Sequence, residues 1–95
     1  MARFVTRVEL HDAVYRDYEV LHGAIEAEGF RRTITSGDGT VYHLPTAEYY
    51  LESPRPREEI IAAAQRAAGR TNKGFGILVT EAQVSTWVGL TPVRQ

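Results

Sequence analysis

Phe4-Val5-Thr6-Arg7-Val8-Glu9-Leu10-His11 is the stretch on which the fold turns. Phe4, Thr6, Val8 and Leu10 occupy alternate positions, with Val5, Arg7, Glu9 and His11 between them. A period of two belongs to a strand with one face in a core and the other in water. The first set is expected to face the rest of the protein, and the second to lie on an open face. Asp12 follows where a helix N-cap is wanted. Val14, Tyr18, Leu21 and Ile25 then fall at spacings of four, three and four, which is one apolar stripe of a helix. Gly29 suits a left-handed C-cap, and Phe30 beyond it suits the apolar contact such caps favour.

Downstream, Phe30 to Thr35 reads as a second strand, ended by Ser36-Gly37-Asp38-Gly39. Asp-Gly between strand patterns predicts a type I′ hairpin turn, in which both central residues have positive φ. The return strand starts at Thr40-Val41-Tyr42, meets a bulge, kink or edge at Pro45, and resumes from Ala47 to Glu52. Ser53-Pro54-Arg55-Pro56 is a stiff connection, with Pro56 suited to the first helical position and Glu58 and Glu59 to the positive end of the helix dipole. Ile60, Ile61, Ala64, Ala67 and Ala68 predict a helix with a small-residue stripe lying close to a sheet. A polar turn from Gly69 to Gly74 leads into a last strand, Phe75 to Ala82. The order βαββαβ is that of a ferredoxin-like α+β domain, a four-stranded antiparallel sheet with two helices on one face. The expectation is a single domain over residues 1–95. Residues 84–95 form a C-terminal extension whose Val84-Ser85-Thr86-Trp87-Val88-Gly89-Leu90 is too apolar for a solvated tail. That segment is expected along a sheet edge or crossing to the other subunit at a two-fold dimer interface, the competing reading being that Trp87 packs against its own sheet.

Composition narrows the function classes. The chain has 95 residues, of which 43% are hydrophobic and 24% charged, ordinary values for one small globular domain. The core is thin enough that a homodimer would help it. The absence of cysteine excludes disulfides, thiol catalysis and cysteine-ligated zinc or iron–sulfur centres. No apolar run is long enough to span a bilayer, and Met1-Ala2-Arg3-Phe4 opens directly into strand pattern without a secretory signal architecture. A cytoplasmic setting with no membrane partner is the expectation. The net charge of −1 argues against a general nucleic-acid coat, and no feature favours DNA. The charge is uneven, with Asp12, Asp17, Glu19, Glu26 and Glu28 around the first helix and Arg55, Arg57, Arg66, Arg70 and Lys73 around the second.

Three groups of residues carry potential chemistry. Glu9, His11 and Asp12 lie at the end of the first strand, and two Glu9–His11 pairs brought together by a dimer axis would offer ligands to a divalent metal. The competing reading makes Asp12 a helix cap and Glu9 and His11 solvated strand residues. His43, beside Tyr42 and near Glu48 at the Pro45 break, suits a general base or a metal ligand, but the three histidines match no zinc spacing. Arg7, Arg31 and Tyr50 are expected to share the open face with Glu9. An aromatic ring among arginines on a four-stranded sheet is a general scheme for holding single-stranded RNA. The same residues suit a wet protein interface equally well. No phosphate-binding loop, dinucleotide fingerprint or nucleophile motif is present.

Two stretches carry a family resemblance. Asp38-Gly-Thr-Val-Tyr-His-Leu-Pro-Thr-Ala-Glu-Tyr-Tyr-Leu-Glu-Ser53, continuing to Ile61, and the opening Phe-Val-Thr-Arg-Val-Glu-Leu-His-Asp-Ala from Phe4 to Ala13 resemble GhoS-type antitoxins. These belong to type V toxin–antitoxin systems and share a Cas2-like ferredoxin fold. The resemblance implies a bacterial endoribonuclease that cuts a toxin messenger RNA. It also implies an acidic metal ligand at the end of the first strand, a region where this chain offers Glu9 and Asp12. The expectation is a homodimeric RNA-binding protein. Glu9 and Asp12 are its candidate catalytic acids, Arg7, Arg31 and Tyr50 its candidate RNA contacts, and a divalent cation such as Mg²⁺ a candidate cofactor. The alternative is a non-catalytic homodimeric module that uses the same open face for a protein or small ligand.

Overall fold

A computed structural model of the chain describes residues Met1–Arg94. Strand β1 (Ala2–Leu10) is central, with β4 (Glu48–Ser53) antiparallel on one side and β5 (Phe75–Ala82) antiparallel on the other. Helices α1 (Tyr15–Ala27) and α2 (Arg57–Gly69) complete the main layer, while β2 (Thr33–Thr35) and β3 (Val41–His43) form a separate two-stranded ribbon. The domain is a mixed α+β fold with an antiparallel sheet.

The alternation in β1 sets up the core. Phe4, Thr6, Val8 and Leu10 are buried, and Leu21 and Ile25 of α1 and Ile60, Ala63, Ala64, Ala67 and Ala68 of α2 gather with the apolar members of that set. Both helices therefore cover the same side of β1. In α2 the buried stripe takes in Ala63 rather than Ile61, and Pro56 is the N-cap residue, one place before the helix. Helix α1 ends as its sequence predicts. Gly29 has φ of 101°, its N–H donates to the Glu26 carbonyl at 3.0 Å, and the Phe30 N–H donates to the Ile25 carbonyl at 3.2 Å. That pair of bonds is a Schellman cap, with buried Phe30 joining Ile25 in the core.

Three expectations are corrected. The four-stranded sheet is a three-stranded sheet plus a ribbon. Pro45 does more than kink the return strand. A turn is inserted there, with the Glu48 N–H donating to the Pro45 carbonyl at 3.1 Å and Ala47 held at φ 70°, and the chain then resumes in the same sense, still antiparallel to the Arg31–Thr35 segment. This splits the return strand into β3 and β4. Only one antiparallel bridge, Arg31 opposite Tyr50, still ties the second-strand segment to β4. The hairpin turn is also not type I′. Gly39 alone, at φ 89°, adopts the left-handed region, and its N–H donates to the Ser36 carbonyl at 3.0 Å. Finally, Asp12 is not the cap of α1. Val14 is the N-cap residue, and its N–H donates to Asp17 Oδ2 at 2.9 Å, so the carboxylate comes from inside the first turn.

After β5 the chain returns to the ribbon. Arg3 Nη1 donates to the Gln83 carbonyl at 2.7 Å, Trp87 meets the Tyr42 ring edge-on at 5.5 Å, and Pro92 bridges Tyr42. The His43 N–H donates to the Thr91 carbonyl, and the Val93 N–H to the Val41 carbonyl. Residues 91–93 thereby line the outer edge of β3. Among the described residues no helix is long and apolar enough to cross a membrane.

Candidate functional site

The register of the sheet decides which side chains share the face that the helices leave open. Arg3, Val5, Arg7 and Glu9 alternate with the buried set on β1. Their cross-strand partners are Glu52, Tyr50 and Glu48 on β4 and Ala82, Thr80, Leu78 and Gly76 on β5. Arg31 joins this face through its bridge to Tyr50, with both backbone bonds at 2.8 Å. Four of the five residues singled out from sequence, Arg7, Glu9, Arg31 and Tyr50, therefore lie on one surface. Arg31 and Tyr50 also line a recess of about 260 Å³ with Gly29, Thr33, Ile34 and Glu52. A wider cleft of about 530 Å³ lies between Arg3, Tyr50 and Glu52 on the sheet and Trp87 on the returning tail.

Carboxylates balance the arginines of this face. Arg7 Nη1 lies 3.9 Å from Glu48 Oε2, and the side chain is 65% exposed. The Tyr50 hydroxyl donates to Glu52 Oε2 at 2.9 Å. Partial burial and that acceptor raise the Tyr50 pKa, so the ring carries a neutral phenol.

The C-terminal end of β1 is where backbone strain collects. Asp12 has φ of 52°, Ala47 of 70° and Asn72 of 59°, and they are the only non-glycine residues with positive φ among those described. All three sit in loops tied to this end. Asp12 follows His11, the Ala47 carbonyl accepts the Val8 N–H at 3.0 Å, and Asn72 leads to Gly74, whose carbonyl accepts the His11 N–H at 2.8 Å. Left-handed backbone costs an L-residue such as alanine roughly 1–2 kcal/mol, and such outliers concentrate at functional sites. Glu9 Oε1 and His11 Nε2 are 3.8 Å apart beside these loops, both exposed. Asp12 is exposed too, and has no ionic or hydrogen-bonded side-chain partner among the described residues.

The donors do not compose a magnesium site. Mg²⁺ needs oxygen ligands converging in near-octahedral geometry. Among the described residues no group of three His, Asp or Glu side chains converges enough to hold a metal, and the nearest partner of Glu9 is an imidazole. His43 is exposed on the ribbon, and only its backbone N–H is engaged, by the tail.

One polar constellation escaped the sequence analysis. His22 is buried in α1, and its Nδ1 lies 2.8 Å from the hydroxyl of fully buried Tyr49, with the rings edge-to-face at 5.8 Å. Burial, and secondarily Arg32, lowers the His22 pKa, against opposing pulls from Glu19 and Glu26. Burial drives the Tyr49 pKa well up. The signal was present in the spacing of Tyr18, His22 and Ile25 along the inward stripe, and in the parity of Tyr49 with Leu51 on β4. Tyr18 is a second inward hydroxyl, accepting the Leu10 N–H at 3.0 Å at the strained end of β1. Compared with known proteins, the chain matches no family, no characterised protein and no solved structure.

Proposed function

We propose that the open sheet face binds single-stranded RNA and that the strained end of β1 is where the RNA is cut. In this reading the domain is ferredoxin-like, with its outermost strand reduced to the Arg31–Tyr50 bridge. It would act as a GhoS-type endoribonuclease on a toxin messenger in a bacterial cytoplasm. The observation that carries the proposal is the register, which puts Arg7, Arg31 and Tyr50 together on a surface no helix covers. Arginine forks suit phosphates, and an aromatic face suits an unstacked base. In this reading Glu9 takes the 2′-hydroxyl proton as that oxygen attacks the adjacent phosphorus. The departing 5′-oxygen takes a proton from His11, leaving a 2′,3′-cyclic phosphate. Asp12, three residues on, is the second acid to test. No step is routed through a metal ion.

Fluorescence anisotropy with a short single-stranded RNA over a salt series tests binding. Arg7→Ala with Arg31→Ala should weaken binding at least tenfold and flatten the log–log salt slope by about 1.4, at ~0.7 per phosphate lost. Unchanged affinity overturns the surface. Glu9→Gln should keep binding and lose cleavage. Full cleavage by a Glu9→Gln, Asp12→Asn double variant removes this end of β1 from the chemistry. One observation favours the non-catalytic module instead, since Arg3 and Arg7 each face a carboxylate across β4, Glu52 and Glu48. A wild-type protein that binds no RNA at low salt selects that reading.

A further inference from the structure

Among the described residues two sheet edges are covered at least in part, and the longest, that of β5, is left open. Residues 91–93 and Pro92 line β3, and the Arg31 backbone caps the outer side of β4 at Tyr50. Among the described residues β5 pairs only with β1, so its outer edge is bare along all of Phe75–Ala82. The register tells which backbone groups are free. His11 and Gly74 are a hydrogen-bonded pair, so Gly76, Leu78, Thr80 and Ala82 also turn their backbone groups toward β1. Phe75, Ile77, Val79 and Glu81 therefore point their N–H and C=O groups outward. Natural edges are usually blunted by proline, lysine or a bulge. This strand has none of these, and Leu78, in its middle, is 64% exposed.

We infer that the β5 edge pairs antiparallel with the same edge of a second copy of this chain, making one continuous six-stranded sheet about a two-fold axis at Leu78. In that register Ile77 faces Val79 and Phe75 faces Glu81 of the second copy, and every outward donor and acceptor of the strand is satisfied. Leu78 meets its own symmetry mate in a non-hydrogen-bonded pair, where Cα atoms approach to about 4.5 Å. Gly76, which has nothing within 4 Å of its would-be Cβ, lies opposite Thr80. The charges are complementary as well. Lys73, 3.8 Å from Asp17, falls diagonal to the second copy's Glu81, which in its own chain lies 4.0 Å from Arg57. No like charges face each other across the junction. The pairing leaves Arg7, Tyr50 and Arg31 uncovered, so it stands or falls independently of RNA binding.

Sedimentation velocity on the full chain is the test. The wild type should be a dimer at high micromolar concentration, and Leu78→Lys, which sets two ammonium groups face to face, should sediment as a folded monomer. Because the chain has no cysteine, Leu78→Cys supplies a second measurement through mild oxidation. It should cross-link to a disulfide dimer, whereas Thr80→Cys, displaced along the strand from its symmetry mate, should not. A wild type that is monomeric throughout overturns the inference. So does a Leu78→Lys protein that stays dimeric, or a Thr80→Cys protein that cross-links as fast as Leu78→Cys.

Discussion

The two sides of β1 obey different constraints although they alternate residue by residue. On the helix side, Phe4, Thr6, Val8 and Leu10 are 6% exposed or less, and every change in volume or polarity there is felt by two helices. On the other side, Arg3, Arg7 and Glu9 are exposed, and their partners are charged groups in water or chain segments that arrive later. The difference separates stability from function along a single strand. The inward positions make the domain fold, while the outward positions are free to carry chemistry at little cost. The largest contrast is therefore in stability. Leu21→Ala opens a cavity under β1 and should lower unfolding free energy by about 3 kcal/mol in urea titration. Leu78→Ala, on the outward side, should change it by less than about 0.5 kcal/mol at a concentration where the protein is monomeric. Equal costs would erase the distinction.

A smaller effect probes the polar pair within the inward side. Tyr49→Phe keeps the ring but leaves His22 Nδ1 without its partner in a buried place, which should cost about 1–2 kcal/mol. The same pair sets a pH dependence. The His22 pKa is lowered first by burial and then by Arg32, so the folded state favours the neutral ring, and the unfolded chain binds the proton more readily. The contribution is then complete above the unfolded pKa, about 6.5, and is lost as pH falls from there through the folded pKa. Urea midpoints should decline from pH 7 to pH 5 in the wild type, and His22→Leu should flatten that decline. An unchanged slope in the variant would assign the acid sensitivity to other groups.

These contrasts also explain what was legible in the sequence. The alternation in β1, the Tyr18, Leu21 and Ile25 stripe of α1 with its Gly29 cap, and the span of β5 are local signals, each set by neighbours within a few residues; Val14, expected on that stripe, is instead the exposed N-cap residue. The split of the second hairpin is not local. Pro45 announces an interruption, but the turn inserted there is fixed by the Ala47 carbonyl docking on the Val8 N–H, a contact between distant segments. The α1 cap failed for a subtler reason. Asp12 has the right side chain, but its left-handed backbone carries the chain past the cap position, and Asp17 supplies the carboxylate from within the helix. At the candidate site, strand parity alone foretold the common face of Arg7, Glu9 and Tyr50. The strained loops at the end of β1 were invisible, because positive φ at Asp12, Ala47 and Asn72 is imposed by tertiary contacts rather than by glycine. His22 and Tyr49 were missed because polar residues on an inward stripe count against burial until their mutual hydrogen bond is seen.

The smallest effect is expected to have the opposite sign. Thr6 is the one polar member of the inward set of β1, fully buried, and its hydroxyl oxygen has no hydrogen-bond partner among the described residues. Its cross-strand neighbour is Tyr49, whose own hydroxyl is committed to His22. The fold thus carries the desolvation cost of a hydroxyl without a compensating bond. Valine has the same branched shape and β preference, so Thr6→Val removes the uncompensated group and leaves the packing intact. Unfolding free energy should rise by about 1 kcal/mol, seen as a higher urea midpoint at unchanged slope. A loss instead would mean that the Thr6 hydroxyl is bonded in solution, with Tyr49 across the strand the group to examine. The double variant with Tyr49→Phe separates the cases. Additive effects leave Thr6 an isolated defect of the core, whereas strong coupling would extend the His22–Tyr49 pair into a three-residue network.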